Sequence, residues 1–294
     1  MNSIDTEQIQ FKLDPSVDNY AVMGNPIVHS KSPEIHLAFA HQTGHILNYQ
    51  SIYVPVGKFD FAIRLFQQRG GKGLNITLPF KHDAHNLSVN MTHRAKTAAA
   101  VNTIKFNEGG VIEGDNTDGV GLVRDLHRNS IQLADMRILI LGAGGAVSGI
   151  LSPLLEQQPE SITIANRTRA KAEALVSLHH SAKNLNVSGL AELEELGSFD
   201  MVINAISSGL NGELPVLPES IIDENCICYD MVYGNAETVF VSWSKSRGAK
   251  MALDGLGMLV EQAAESFYIW RGVRPETASV INMLRDSGLG ARDS

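Results

Sequence analysis

Lys81 stands in the run NITLPFKH, residues 75–82, two residues after Pro79. A lysine ammonium beside a carbonyl oxygen can stabilise developing negative charge and donate a proton, and the neutral amine can take that proton back. The run reads as a short strand, Leu74 to Thr77, stopped by Pro79 and delivering Lys81 at its carboxyl end. Spacing alone leaves open whether Lys81 is a reactive group or a solvated surface charge. A second segment with polar side chains, GDNTDG, carries Asp118 and reads as an Asx-type turn.

A third chemical signal is ILILGAGGAV, residues 138–147, where Gly142, Gly144 and Gly145 follow an apolar strand. Such a turn lets backbone approach a pyrophosphate lying at a helix N-terminus. The pattern departs from G-x-G-x-x-G because Val147 holds the third glycine position, and an ordinary tight turn is the alternative. The next strand, in SITIANRTRAK, ends where an NAD enzyme places an acidic residue for the ribose hydroxyls. Here Asn166, Arg167, Thr168 and Lys171 stand instead. A guanidinium pairs with a 2′-phosphate that a carboxylate would repel, so the segment points to NADP. Cations that merely solvate a helix start would oppose its dipole.

The elements that must position these groups alternate. NYAVMG, LNYQSIYV and KGLNIT read as strands, separated by the helices Ser32–Gly44 and GKFDFAIRLFQQRG. The first of these helices has Ser32 as expected N-cap, Pro33 at its first position and Gly44 as its stop. A helical MTHRAKTAAA leads to the strand VNTIKF and the segment GGVIEGDNTDG. The alternation restarts near residue 119, with strands at MRILILG, SITIAN, FDMVINA and CICYDMVY and two final helices, GMLVEQAAESFYIW and PETASVINMLRDSG. The expectation is an α/β protein with largely parallel sheets in two domains. Ligands then belong at carboxyl strand ends and in the crevice between domains.

With 294 residues the chain can bury a sizeable core, and 44% hydrophobic with 19% charged residues is a globular profile. A net charge of −8 argues against nucleic-acid binding. No apolar run approaches membrane-spanning length, the start MNSIDTEQIQ lacks the pattern of a signal peptide, and the polar end is expected to fray. Cys226 and Cys228 fall on one face of a strand and read as core thiols in a reducing, cytoplasmic setting. His82, His85 and His93 form no metal-ligand pattern, and HDAH reads as a solvated helix face.

Taken in order, GNPIVHSKSP, NITLPFK, AVNTI, GDNTDG, GAGGA, NRTRAK, YDMVY and DGLGM resemble the shikimate dehydrogenase family over nearly the whole chain. Leu37, where the family often has asparagine, and the bulky Val147 are small departures. The resemblance implies a substrate domain, residues 1–118 and 255–294, carrying catalysis, and a Rossmann-type NADP-binding domain, 119–254. It implies NADPH-dependent, reversible reduction of 3-dehydroshikimate to shikimate in aromatic amino-acid biosynthesis. Lys81 would be the acid/base, with Asp118 beside it. Ser30 and Ser32 would bind the substrate carboxylate, Thr77, Asn102 and Asp118 the ring hydroxyls, and Tyr233 and Gln262 would complete the pocket. Gly142, Ala143, Gly144, Gly145 and Ala146, then Asn166, Arg167, Thr168 and Lys171, with Ile206, Met231 and Gly255, would line the NADP(H) site. No metal, nucleic acid or membrane is implied, and monomer and homodimer both stay open. The other readings are an enzyme acting on quinate or using NAD, and a non-catalytic NADP-binding sensor, which could lose Lys81 or Asp118 freely.

Overall fold

The structure, a computed structural model, describes residues 9–180, 182–206 and 214–288. The readings made for the first eight residues and for the polar end lie outside them. The chain divides into two compact units, Met1–Asp118 with Val260–Val280, and Gly119–Leu259 with Ile281–Ser294.

The first unit is built on β1 (Asp18–Gly24), α1 (Ser32–Thr43), β2 (Leu47–Tyr53), α2 (Phe59–Gln68), β3 (Gly71–Ile76), α3 (Lys81–Leu87), β4 (Asn90–Met91), α4 (His93–Ala98), β5 (Thr103–Phe106) and β6 (Ile112–Asp115). The strands form one sheet in the order β2-β1-β3-β5-β6-β4. Strands β1, β2 and β3 pair in parallel, but β5 runs antiparallel to both β3 and β6. The expected sheet is therefore mixed. The reason is local: VNTIKF and GGVIEGD are joined by a short glycine turn, which can only reverse the chain.

Both faces of β1 are covered, which explains its near-continuous apolar run. Ala21 and Met23 face Phe59, Ile63 and Phe66, whereas Tyr20 and Val22 face Tyr49 and Trp270. In α1 the buried residues Ser32, Ile35, His36, Phe39 and Ala40 follow the helical period. Gly44 ends it at φ +69, as expected. Ser32 is not its N-cap. Lys31 already has helical φ and ψ and takes the cap position without a side-chain bond, while the Ser32 side chain turns inward.

His36 is buried and lies flat on Tyr49, ring centroids 4.3 Å apart, with Trp270 on another side. Neither of its ring nitrogens makes a hydrogen bond of normal geometry. Burial, only partly offset by the nearby Asn75 amide, lowers its pKa to about 3, so the ring is neutral. Trp270 stacks on Tyr20 at 4.7 Å and donates its indole N–H to the Ile104 carbonyl at 2.9 Å. Gly73 leaves room for that indole: a Cβ there would meet the Ile104 carbonyl at 2.8 Å and the ring itself.

The second unit begins in α5 (Asp118–Arg128) and continues through β7 (Arg137–Leu141), α6 (Gly145–Leu155), β8 (Ser161–Asn166), α7 (Arg169–Ser177), β9 (Leu185–Gly189), β10 (Met201–Asn204), β11 (Ile227–Asp230), α8 (Val239–Ser246), β12 (Met251–Leu253) and the start of α9 (Leu256–Arg271), which from Val260 onward belongs to the first unit. Then comes α10 (Ala278–Asp286). All pairings in its sheet are parallel, in the order β12-β11-β10-β7-β8-β9, the doubly wound arrangement of dinucleotide-binding domains. Successive residues alternate between two buried layers: Ile138, Ile140, Ile162 and Ile164 on one face, Leu139, Leu141, Cys226 and Cys228 on the other. The two cysteines are buried free thiols, as read. β9, β12 and α8 were not legible: β9 and β12 are edge strands without the continuous apolar run of the central ones, and α8 is a short helix.

Two stability outcomes follow. Gly73→Ala must displace Trp270 or the β5 carbonyl and is expected to cost about 1–3 kcal/mol, measured by urea unfolding. The His36 pKa is depressed by folding, so between about pH 6.5 and 3 the unfolded chain binds a proton that the folded one refuses. Its share of stability is present above that window and is lost as pH falls through it, by up to about 1.4 kcal/mol per pH unit. His36→Phe, which keeps the ring stack, is expected to flatten this part of the acid-unfolding profile; an unchanged slope would contradict it.

Candidate active site

In the first unit the residues singled out in the sequence converge on one edge of the sheet. Ser30 and Ser32 follow the carboxyl end of β1, Thr77 and Lys81 follow β3, and Asp118 follows β6. Asn102 reaches the same edge from the other direction, because it precedes the antiparallel β5. Lys81 is not on the strand end itself. It opens α3, five residues past Ile76, and its carbonyl accepts the Val101 N–H at 2.9 Å, which ties it to the approach to β5.

Lys81 Nζ donates to Asp118 Oδ2 at 2.5 Å, with both side chains largely covered. The other carboxylate oxygen, Oδ1, accepts from Asn102 Nδ2 at 2.7 Å. Asn102 is held in that orientation by three donors on its own oxygen: the Thr117 N–H at 2.9 Å, the Thr117 hydroxyl at 3.1 Å and the Thr103 hydroxyl at 2.8 Å. Gln262, on α9, accepts from Asn102 Nδ2 at 3.4 Å and has its side-chain oxygen 3.3 Å from Thr117 Oγ1. Thus Lys81, Asp118, Asn102 and Gln262 form one connected set.

The turn that carries Asp118 is itself clamped. Asp115 accepts from Arg94 at 2.6 and 2.7 Å, from the Thr92 hydroxyl at 2.6 Å and from the Asn116 N–H at 2.7 Å. Arg94 also reaches Glu265, which pairs with Arg274 at 2.6 Å. The Asp118 N–H is taken by the Asn116 side chain at 3.1 Å. GDNTDG is therefore an Asx-type turn, and the same turn presents the Asp118 carboxylate to Lys81 and Asn102.

Ser30 Oγ accepts the Ser32 N–H at 3.3 Å, so the two serines occupy one loop. Thr77 packs its methyl over Gly24, where any Cβ would collide with it. Tyr233 belongs to the second unit, in the segment after β11; it is half-buried there, and burial pushes its hydroxyl pKa up. Several buried polar residues that the sequence reading passed over support the edge: Tyr49, Asn75, Thr103, Thr117 and Ser266. For Asn75 a signal was present, since it stands between Leu74 and Ile76 in a buried strand, and a buried polar group must have a partner.

In the second unit the residues read as cofactor-binding follow the carboxyl ends of parallel strands: Gly142 after β7, Asn166 at the end of β8, Ile206 after β10, Met231 after β11 and Gly255 after β12. Gly142 has φ +111, and a Cβ on it would meet the Ala205 carbonyl at 3.0 Å. This is the junction of β7 and β10, where the strand order reverses. A Cβ at Gly144 would meet nothing within 4 Å, and the first turn of α6 has no side-chain cap. Gly144, Gly145 and Ala146 are exposed, with Ala143 half-buried beside them. Gly255 is packed against the Met231 carbonyl. Val147, at the third glycine position, points wholly into the core. Asn166 closes the β8 turn by donating to the Thr168 carbonyl at 2.9 Å, and Arg167 and Lys171 are exposed and form no ion pair among the described residues.

No group of three or more His, Cys, Asp or Glu side chains that could hold a metal occurs among the described residues, and no helix there is long and apolar enough to cross a membrane. His82 is exposed on α3, as read.

Three family profiles match the chain: the shikimate dehydrogenase substrate binding domain at 22–104, the shikimate/quinate 5-dehydrogenase domain at 125–218 and the shikimate 5′-dehydrogenase C-terminal domain at 255–285. A shikimate dehydrogenase (NADP(+)) of Alkalilimnicola ehrlichii is 56% identical over 269 residues, covering 91% of this chain and 98% of its own. Among solved structures, an Ael1 enzyme from Pseudomonas putida matches with TM-score 0.86 and 44% identity, over 91% of this chain and 98% of that one. The shikimate 5-dehydrogenase of Thermus thermophilus, in complex with NADP(H) and shikimate, matches with TM-score 0.81 and 29% identity, over 92% and 99%. A mixed sheet presenting a lysine–aspartate pair, a doubly wound sheet with a glycine turn, and these likenesses along nearly the full length agree: the chain belongs to the shikimate dehydrogenase family.

Proposed function

We propose that this protein catalyses the reversible NADPH-dependent reduction of 3-dehydroshikimate to shikimate, a step of aromatic amino-acid biosynthesis through chorismate. The observation that carries the site assignment is the Lys81–Asp118 pair at 2.5 Å, with Asn102 completing the carboxylate on the same sheet edge as Ser30 and Ser32.

The second unit fits NADP. Gly142 has backbone geometry that a side chain would strain, Gly144 leaves open space at an uncapped helix start, and no carboxylate occupies the end of β8. Gly142 to Ala146 would hold the pyrophosphate, and Asn166 to Lys171 the adenosine 2′-phosphate, with Arg167 as its bidentate partner. Ile206, Met231 and Gly255 would line the rest. When bound, the cofactor supplies or accepts a hydride.

The chain's own residues do the remainder. Ser30 and Ser32 donate hydroxyl hydrogens to the substrate carboxylate. Thr77, Asn102, Asp118 and Gln262 hold the ring hydroxyls. As the ketone is reduced its oxygen becomes negative, and the Lys81 ammonium stabilises it and gives it a proton. In the reverse direction the neutral Lys81 amine takes the hydroxyl proton. Asp118, oriented by Asn102, keeps the lysine at the reacting oxygen in both directions.

In this reading residues 1–118 and 255–294 bind substrate and 119–254 bind the cofactor, in a monomer or homodimer that needs neither nucleic acid nor membrane. The buried free thiols Cys226 and Cys228 support a cytoplasmic setting.

Absorbance at the NADPH band is expected to rise with shikimate and NADP⁺, and far less with NAD⁺ or quinate; comparable rates with quinate would overturn the substrate assignment. Lys81→Ala is expected to lower kcat by about 10²–10⁴-fold, and a turnover near that of the native enzyme would remove Lys81 from the chemistry. Arg167→Ala is expected to raise KM for NADP⁺ while leaving the weak use of NAD⁺ unchanged. Equal losses with both cofactors would refute the 2′-phosphate contact.

A further inference from the structure

The polar groups beneath the Lys81–Asp118 pair form a chain in which donors and acceptors run in one direction. The Tyr49 hydroxyl donates to Asn75 Oδ1 at 2.7 Å. That contact turns the Asn75 amide so that its Nδ2 points to Ser266 Oγ at 3.0 Å and Thr103 Oγ1 at 3.2 Å. Ser266 and Thr103 lie 2.7 Å apart. With donors arriving from Asn75, the Thr103 hydroxyl is free to spend its own hydrogen on Asn102 Oδ1, at 2.8 Å. Asn102 then presents Nδ2 to Asp118, whose other oxygen takes the lysine.

Resting on the site reading above, we infer that Tyr49 is a positioning residue for the Lys81–Asp118 pair, acting through Asn75 and Ser266. The Tyr49 hydroxyl is the outer end of the chain, and it crosses beneath β1 from β2 to β3 to make its bond. Burial pushes its pKa up, so it keeps its proton and remains a donor.

Ser266 adds a second function. With Thr103 donating to Asn102, the Ser266 hydrogen goes to Thr103; Ser266 Oγ also lies 3.1 Å from the Gln262 carbonyl and 3.3 Å from Thr117 Oγ1, so the helix that carries Gln262 is packed on β3 and β5 at this point. Every member of the chain is at most 8% exposed apart from the Lys81 side chain and the Asp118 carboxyl, so water cannot substitute freely for a lost donor. Removing the Tyr49 hydroxyl leaves Asn75 Oδ1 without its donor. The amide can then turn over and demand a hydrogen from Thr103, which withdraws it from Asn102.

The test is a double-mutant cycle in the full-length enzyme, with Tyr49→Phe and Ser266→Ala, run beside Lys81→Ala. Tyr49→Phe keeps the ring and its stack on His36, and Ser266→Ala removes one small hydroxyl, so one of the two remains informative should the other fold poorly. The expected result is a kcat for shikimate oxidation lowered about 10-fold or more in each single variant, with KM for NADP⁺ unchanged. The double variant is expected to be no slower than the slower single, because a chain broken once gains nothing from a second break. Native kcat in both folded single variants, with Lys81→Ala inactive, would overturn the inference and leave the site reading standing. Losses that multiply in the double variant would also overturn it, since they indicate two independent packing defects. Native turnover in Lys81→Ala would overturn the site reading, and the inference with it.

Discussion

The ion pair between Lys81 and Asp118 is the interaction on which the first unit is organised. A carboxylate that is largely removed from water is tolerated only if its oxygens are satisfied. Lys81 satisfies one and Asn102 the other. Asn102 can do so only because β5 runs against its neighbours, which brings the start of that strand to the edge where the other strands end. The antiparallel strand is thus not an irregularity in a parallel sheet. It delivers an amide donor that a parallel strand would have placed at the opposite edge. The Arg94–Asp115–Glu265–Arg274 cluster completes the arrangement by fixing the turn on which Asp118 is mounted.

The second unit solves a different problem with backbone instead of side chains. Its sheet is all parallel and buried on both faces, so strand ends are the places where polar backbone is left to meet a ligand. Gly142, Gly144 and Gly255 each lie at such an end, and a Cβ would strain the backbone at the first, occupy open space at the second and strike the Met231 carbonyl at the third. Val147 shows that the third glycine of the usual fingerprint is dispensable here. Its side chain enters the apolar layer between α6 and the sheet.

Much of this was legible in the sequence where a local rule has one solution. Alternating strands and helices, the glycine turn, the stop at Gly44 and the paired core cysteines were read from period and residue type. The reading was weaker where the answer depends on distant chain. Ser32 looks like a helix cap, but Lys31 takes that position and Ser32 is buried in the first turn of the helix. Lys81 looks like a strand end, but a helix begins there. β9 and β12 are the two edge strands of their sheet and lack the continuous apolar run of the central strands. Asn75 was visible as a polar residue between Leu74 and Ile76, yet its partners Thr103 and Ser266 could be found only once the strands and α9 were placed side by side.

The most direct measurement of the central claim is a crystal structure of the protein with shikimate bound. The account requires the 3-hydroxyl, the group that becomes the ketone, to lie within hydrogen-bond distance of Lys81 Nζ, roughly 2.6–3.2 Å, with the carboxylate on Ser30 and Ser32. Shikimate bound the other way round, with its carboxylate on Lys81 and its 3-hydroxyl on the serines, would contradict it.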